Sequence, residues 1–134
     1  MLAYLKIYAV MLVAFVALDA VWLGLIARTF YSKHLGYLLA DKPIWAAAGV
    51  FYLLFVLGLL VLVVLPGIEA GSVKRVVLLG LVYGLVTYGT YDLTNLALVK
   101  DWPWIVTVVD LCWGAGLSIA LGWIGFVAGR MMMR

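Results

Sequence analysis

The stretch Val50-Phe51-Tyr52-Leu53-Leu54-Phe55-Val56-Leu57-Gly58-Leu59-Leu60-Val61-Leu62-Val63-Val64 contains no charged side chain and no alternation of apolar and polar positions. Its apolar character extends from Ile44 to Leu65, and ~20 such residues in an α-helix cross the ~30 Å of a bilayer's hydrocarbon core. A membrane β-barrel would require short alternating segments, and the missing period of two excludes it. Outward from this run, comparable stretches fall at about Ile7 to Ile26, Val76 to Leu98 and Trp104 to Gly129. The expected fold class is an all-α integral membrane protein, a bundle of four transmembrane helices with a short interfacial segment between helices 1 and 2. A single domain over residues 1–134 is expected, with helices at about 4–28, 44–66, 75–99 and 103–130.

Composition agrees with this class: 69% of the chain is hydrophobic, 11% is charged, and the mean hydropathy is +1.24. Such values lie well outside those of soluble domains. The net charge of +3 does not point to nucleic acid, because the basic residues lie mostly at helix ends, where they anchor against lipid headgroups. Lys6 ahead of an apolar run and the small residues of Ala17 to Ala20 superficially suggest a cleaved signal, but the run continues through Trp22 to Ile26. A permanent first span is expected. Cys112 is the sole cysteine, which excludes an intrachain disulfide, and it is expected to be an inert core residue.

Lys6, Lys74, Arg75, Arg130 and Arg134 fall on the side of the termini, against Arg28, Lys33, Lys42 and Lys100 on the other. The small basic excess favours both termini in the cytoplasm. Asp19, Asp92 and Asp110 then require an explanation, since each interrupts an apolar span. A charged group at the centre of a span costs roughly 2.5 to 3.5 kcal/mol on insertion scales, so it normally faces the protein interior and marks a pathway or site. Asp19 and Asp92 lie late in helices leaving the terminal side, and Asp110 lies early in the helix that returns. At ~1.5 Å per residue, their heights agree to roughly 6 Å, in the half of the membrane away from the termini.

Helical phase groups these acids with other polar and small residues. Gly80, Gly84, Tyr88, Tyr91, Asp92 and Asn95 share a sector of about 120 degrees, and Thr107, Asp110, Gly114, Ser118, Gly122, Gly125 and Gly129 form a similar stripe. Asp19-x-x-Trp22 and Asp110-x-x-Trp113 each place an indole one turn from a carboxylate, and Asp92-x-x-Asn95 places an amide there. These offsets suit hydrogen bonds within an acidic cluster, although tryptophans at this level also serve as lipid anchors. Thr94 and Thr107 are candidate neutral ligands. In the connection from Arg28 to Pro43, residues Phe30, Leu35, Leu38 and Leu39 are expected to form one apolar face of an interfacial helix above the cluster. His34, the sole histidine, is a candidate titrating group there or a headgroup-facing residue.

Four segments carry a resemblance: Leu18-Asp19-Ala20-Val21-Trp22-Leu23-Gly24, Phe30-Tyr31-x-x-His34-Leu35-Gly36, Tyr88-Gly89-Thr90-Tyr91-Asp92-Leu93-Thr94-Asn95, and Thr107-Val108-Val109-Asp110-x-x-Trp113-Gly114. Together they resemble the DUF2177 family of bacterial membrane proteins. The resemblance implies a compact four-helix protein of the inner membrane and supplies no reaction or ligand.

Carboxylates brought together in a low dielectric cannot all ionise cheaply, which favours reversible binding of a proton or cation. One expectation is therefore a small transporter or ion-coupled protein, in which Asp19, Asp92 and Asp110 bind a proton or cationic solute. Four helices make a thin transporter, so a homo-oligomer or a partner in a membrane complex would complete a path. A second is a membrane enzyme acting on an amphiphile, with His34 and the acids as acid and base or as ligands of a divalent cation. No nucleophile or phosphate-binding motif supports it. The third is an accessory or assembly subunit whose polar residues join helices. No cofactor is expected, and any metal would fall to Asp19, Asp92 and Asp110.

Overall fold

The computed structural model describes residues 1–133, and Arg134, one of the basic residues weighed for orientation, lies outside them. Four helices long and apolar enough to cross a membrane run Leu2–Ile26, Trp45–Glu69, Val73–Leu98 and Trp104–Met132. The first comprises α1 (Leu2–Val21) and one wide π-helical turn, Trp22–Ile26. A short helix, α2 (Arg28–Leu35), follows at once. The second span is α3 (Trp45–Leu59), a second π-helical turn at Leu60–Val64 and α4 (Leu65–Glu69). The third is α5 (Val73–Leu98) and the fourth α6 (Trp104–Met132).

Pro66 was expected at the end of the second span but lies within its continuation, near the start of α4. Proline cannot donate the helical hydrogen bond to the residue four positions earlier, and the wide turn just before it absorbs that disruption. The tight connection to α5 uses Gly71 at φ +58°. Ser72 then caps α5 by accepting a hydrogen bond from the Arg75 amide at 3.2 Å. Asp101, also at φ +58°, turns the chain between α5 and α6.

The fourth span is the hub: half of its most apolar window is buried, against 11% for the first span. Several of its glycines are sockets for neighbouring side chains. Gly114 receives the Tyr88 ring, Gly125 receives Met11 and Val64, and Gly129 receives Ile68 and Ile7. Where α5 and α6 touch, backbone meets backbone: Gly84 lies against Gly114 and Ala115, and a Cβ at Gly80 would stand 3.1 Å from the Ser118 carbonyl oxygen. Close approach through small residues is the usual packing of helices in lipid. Around this seam, Ile7, Met11, Phe15, Val56, Leu59, Leu117, Leu121 and Phe126 form the core. Leucines and valines such as Val13, Leu54, Leu62 and Val82 cover the outside.

The interfacial segment differs from expectation at its end. The helix stops at Leu35, and the Leu38 amide turns back to the Leu35 carbonyl at 2.8 Å. Leu38 and Leu39 therefore leave the helical face and are exposed. Only the first half of the expected stripe packs, with Leu35 buried against Trp102 and Val106 and with Phe30 and Tyr31 beside them. The Tyr37 hydroxyl donates to the Asp101 carbonyl at 2.8 Å, tying this connection to the α5–α6 turn. Cys112 is exposed on the outer surface of α6 and is not a core residue.

Candidate functional site

The seam between α5 and α6 places Asp92 against Asp110. Asp92 is completely buried, and among the described residues no donor reaches its carboxyl oxygens except through the adjacent Asp110 carboxyl, with which a proton can be shared. Among the described residues, no basic side chain bears on either group. The position of Asp92 is locked through its own peptide: the Trp102 indole N–H donates to the Thr107 hydroxyl at 3.1 Å, and that hydroxyl donates to the Asp92 carbonyl at 3.3 Å. Thr107 thus links the Trp102 side chain to the Asp92 backbone and gives no hydrogen bond to the Asp92 carboxyl.

Asp110 is 7% exposed and has a partner that Asp92 lacks. The Tyr31 phenol, carried by α2, donates to Asp110 Oδ1. Burial, reinforced by this bond, pushes the Tyr31 phenol above its ordinary range, so the hydroxyl remains a donor at any physiological pH. The Trp22 indole N–H reaches the Tyr31 oxygen at 3.4 Å. The Trp22 ring stacks on Trp113 with centroids 4.4 Å apart and planes 6° from parallel. The two tryptophans therefore do not donate to the carboxylates one turn before them. They pair with each other, and the Trp113 N–H is buried without a partner.

Asp19 stands apart from this pair. The Tyr52 hydroxyl, from α3, donates to Asp19 Oδ2, and the Tyr52 ring lies 4.5 Å from that of Phe15. Tyr88 fills the socket at Gly114 and lines the pocket beside Asp110. The three acids do not share one set of partners: Asp92 and Asp110 form a pair, and Asp19 is capped separately by Tyr52. Among the described residues, no group of three such side chains is placed to hold a metal ion.

A pocket of about 300 Å³ opens beside the pair, lined by Phe51, Thr87, Tyr88, Tyr91 and Asp110. Its walls are almost entirely apolar, and the Asp110 carboxyl supplies the charge. Comparison with protein families bears directly on this chain: residues 4–127 match the family model described as predicted membrane protein, DUF2177. The chain belongs to the DUF2177 family. All four sequence segments quoted above lie within the matched region and contribute residues to the site or its cover. No curated protein and no solved structure matches this DUF2177 protein.

The remaining candidates of this DUF2177 protein are placed differently. Tyr91 is 57% exposed, meets Trp102 edge-on and lines the mouth of the pocket. Asn95 is half-buried beside the Tyr91 phenol. Thr94 is not brought to the acids: it is exposed, and its hydroxyl donates back to the Thr90 and Tyr91 carbonyls of its own helix. Two positions beyond Asp92, it projects from the opposite side of α5. His34 Nδ1 lies 2.9 Å from the Phe30 carbonyl oxygen and its ring rests on Phe30 at 4.5 Å, so it serves α2 itself.

Tyr52, Phe51 and Trp102 are not singled out by the sequence, and Tyr31 enters there only within the segment Phe30-Tyr31-x-x-His34. The usable signal was the phenol: a buried tyrosine hydroxyl normally finds a partner. Tyr52 lies in the most apolar run of the chain, and Tyr31 lies in the segment expected above the acids. Trp102 and Phe51 depend on how separate elements pack, and nothing in their local sequence marks them.

Proposed function

We propose that this membrane protein binds a proton or a small cation at the Asp92–Asp110 pair and takes part in its movement across the membrane. The observation that carries this reading is the Asp92 carboxyl, fully buried, with the Asp110 carboxyl beside it and, among the described residues, neither a hydrogen-bond donor from another side chain or the backbone nor a basic neighbour. Two adjacent carboxyls in apolar surroundings cannot both carry charge without a counter-charge, which a proton or a bound cation supplies. Tyr31 stabilises a charged Asp110 by donating to it, leaving Asp92 as the exchangeable position. Asp19 has its own donor in Tyr52 and belongs to the surroundings of the site.

In this reading residues 1–134 act as one domain in a bacterial inner membrane, with both termini in the cytoplasm and the acids in the periplasmic half. The excess of basic residues on the terminal side supports that orientation. A homo-oligomer would complete the path. A second reading, an accessory subunit of a membrane complex, draws on the Tyr31–Asp110 and Tyr52–Asp19 bonds, which join separate helices. His34, turned to its own helix, lends no support to acid–base catalysis.

The test is binding of sodium, potassium and protons by the purified protein in lipid nanodiscs. Saturable binding should be lost in Asp92→Asn and Asp110→Asn while helical content persists, and retained in Asp19→Asn. Absence of binding in the wild type, together with Asn variants that unfold, would favour the accessory reading.

A further inference from the structure

The pocket beside the acid pair is poorly suited to a bare inorganic ion and well suited to an organic one. Inorganic cations are held by several converging oxygens that replace their water. Besides Asp110, the walls offer only two phenols and the Thr87 hydroxyl, which is tethered to the Tyr83 carbonyl at 2.8 Å, too few oxygens to replace the water shell of an inorganic ion. Three aromatic side chains, Phe51, Tyr88 and Tyr91, surround a space of about 300 Å³ with a carboxylate in its wall. Aromatic faces attract ammonium groups through the ring quadrupole, more strongly where water is excluded. A carboxylate then supplies the opposite charge and accepts the N–H hydrogen bonds.

The position of the mouth selects further. The second and third spans are tied lower down, where the Tyr83 hydroxyl donates to the Phe55 carbonyl at 2.8 Å and the turn Leu60–Val64 packs on α5. At the level of the acids, Phe51 from α3 and Tyr91 from α5 flank the pocket, and they are 47% and 57% exposed on the outer surface. That surface faces lipid in a spanning protein. We propose that the pocket admits a protonated amine with an apolar body, entering sideways from the bilayer between the second and third spans. Its ammonium group meets Asp110, with Asp92 behind it, and its apolar part rests on Phe51 and Tyr91. This inference rests on the acid pair being a cation site, as proposed above, and names the class of cation.

The experiment is calorimetric titration of the protein in phosphatidylglycerol nanodiscs with 2-phenylethylamine and with its neutral analogue 2-phenylethanol. Saturable binding of the amine is expected, weakened about tenfold or more in Asp110→Asn and several-fold in Phe51→Ala and Tyr91→Ala, with little binding of the alcohol. Because Phe51 and Tyr91 are exposed, their variants should retain the fold, and unchanged affinity in both would overturn the proposal. Equal binding of amine and alcohol would reduce the effect to apolar partition and also overturn it. Adding phosphatidylethanolamine should leave the affinity unchanged, whereas a several-fold loss would assign the pocket to a lipid headgroup. If sodium or protons bind at the pair and the amine does not, this inference fails while the wider reading stands. If none of them binds, both fail.

Discussion

Asp92 is the residue on which the account turns, because burying a carboxyl with no donor beyond a second acid works against stability. Asp92→Asn removes the charge with little change of shape, and should raise the stability of the folded protein by about 1 kcal/mol or more, measured by denaturant unfolding in mixed micelles. A destabilised Asn variant would mean that the carboxylate holds the fold together. Tyr31→Phe acts in the opposite sense. It removes the donor to Asp110 and should cost about 1.5–3 kcal/mol, the range for a hydrogen bond to a charged group. Tyr52→Phe should lower stability similarly and leave ligand binding at the pair unchanged. At this scale the acids were legible in the sequence because each interrupts an apolar run. Their partners were not, since Tyr31 and Tyr52 come from other elements and only tertiary packing assigns one phenol to each carboxylate. The same limit explains Trp22 and Trp113, whose one-turn spacing from an acid suggested a bond that mutual stacking replaces.

Among the elements, the α5–α6 seam positions the site, and its precision comes from glycines. Gly84→Ala would press a methyl group into the Gly114 backbone. It should lower stability by about 1–3 kcal/mol, the usual cost of overpacking, and weaken ligand binding by separating Asp92 from Asp110. Gly116→Ala is the control: open space surrounds that position, so the same change should be tolerated and the melting temperatures of the two variants should differ clearly. Four spans could be read directly from apolar runs, and the glycine stripe of α6 from its period. The end of α2 could not, because apolar residues continue past Gly36 and only the packing of Leu35 on Trp102 and Val106 decides where the face stops. The place of Thr94 was misjudged for a related reason. Adjacency to Asp92 in sequence counts for little on a helix, where a residue two positions away points to the other side.

At the scale of the whole molecule, the acids occupy one half of a thin bundle, so orientation decides which compartment they serve. In a Cys112→Ala background, Ala70→Cys, at the end of α4, should react with impermeant maleimide only from the cytoplasmic side, and Ser32→Cys, on α2, only from the periplasmic side. The reverse pattern would place the site in the cytoplasmic half. Binding of a cation at the pair displaces the proton that otherwise offsets its charge, so affinity should fall as pH falls. The most direct measurement is the number of protons released to a weakly buffered medium when 2-phenylethylamine is added to the protein in nanodiscs. The account predicts saturable release approaching one proton per bound cation, absent in Asp92→Asn and Asp110→Asn and retained in Asp19→Asn. No release from the wild type, or equal release from all four proteins, would contradict it.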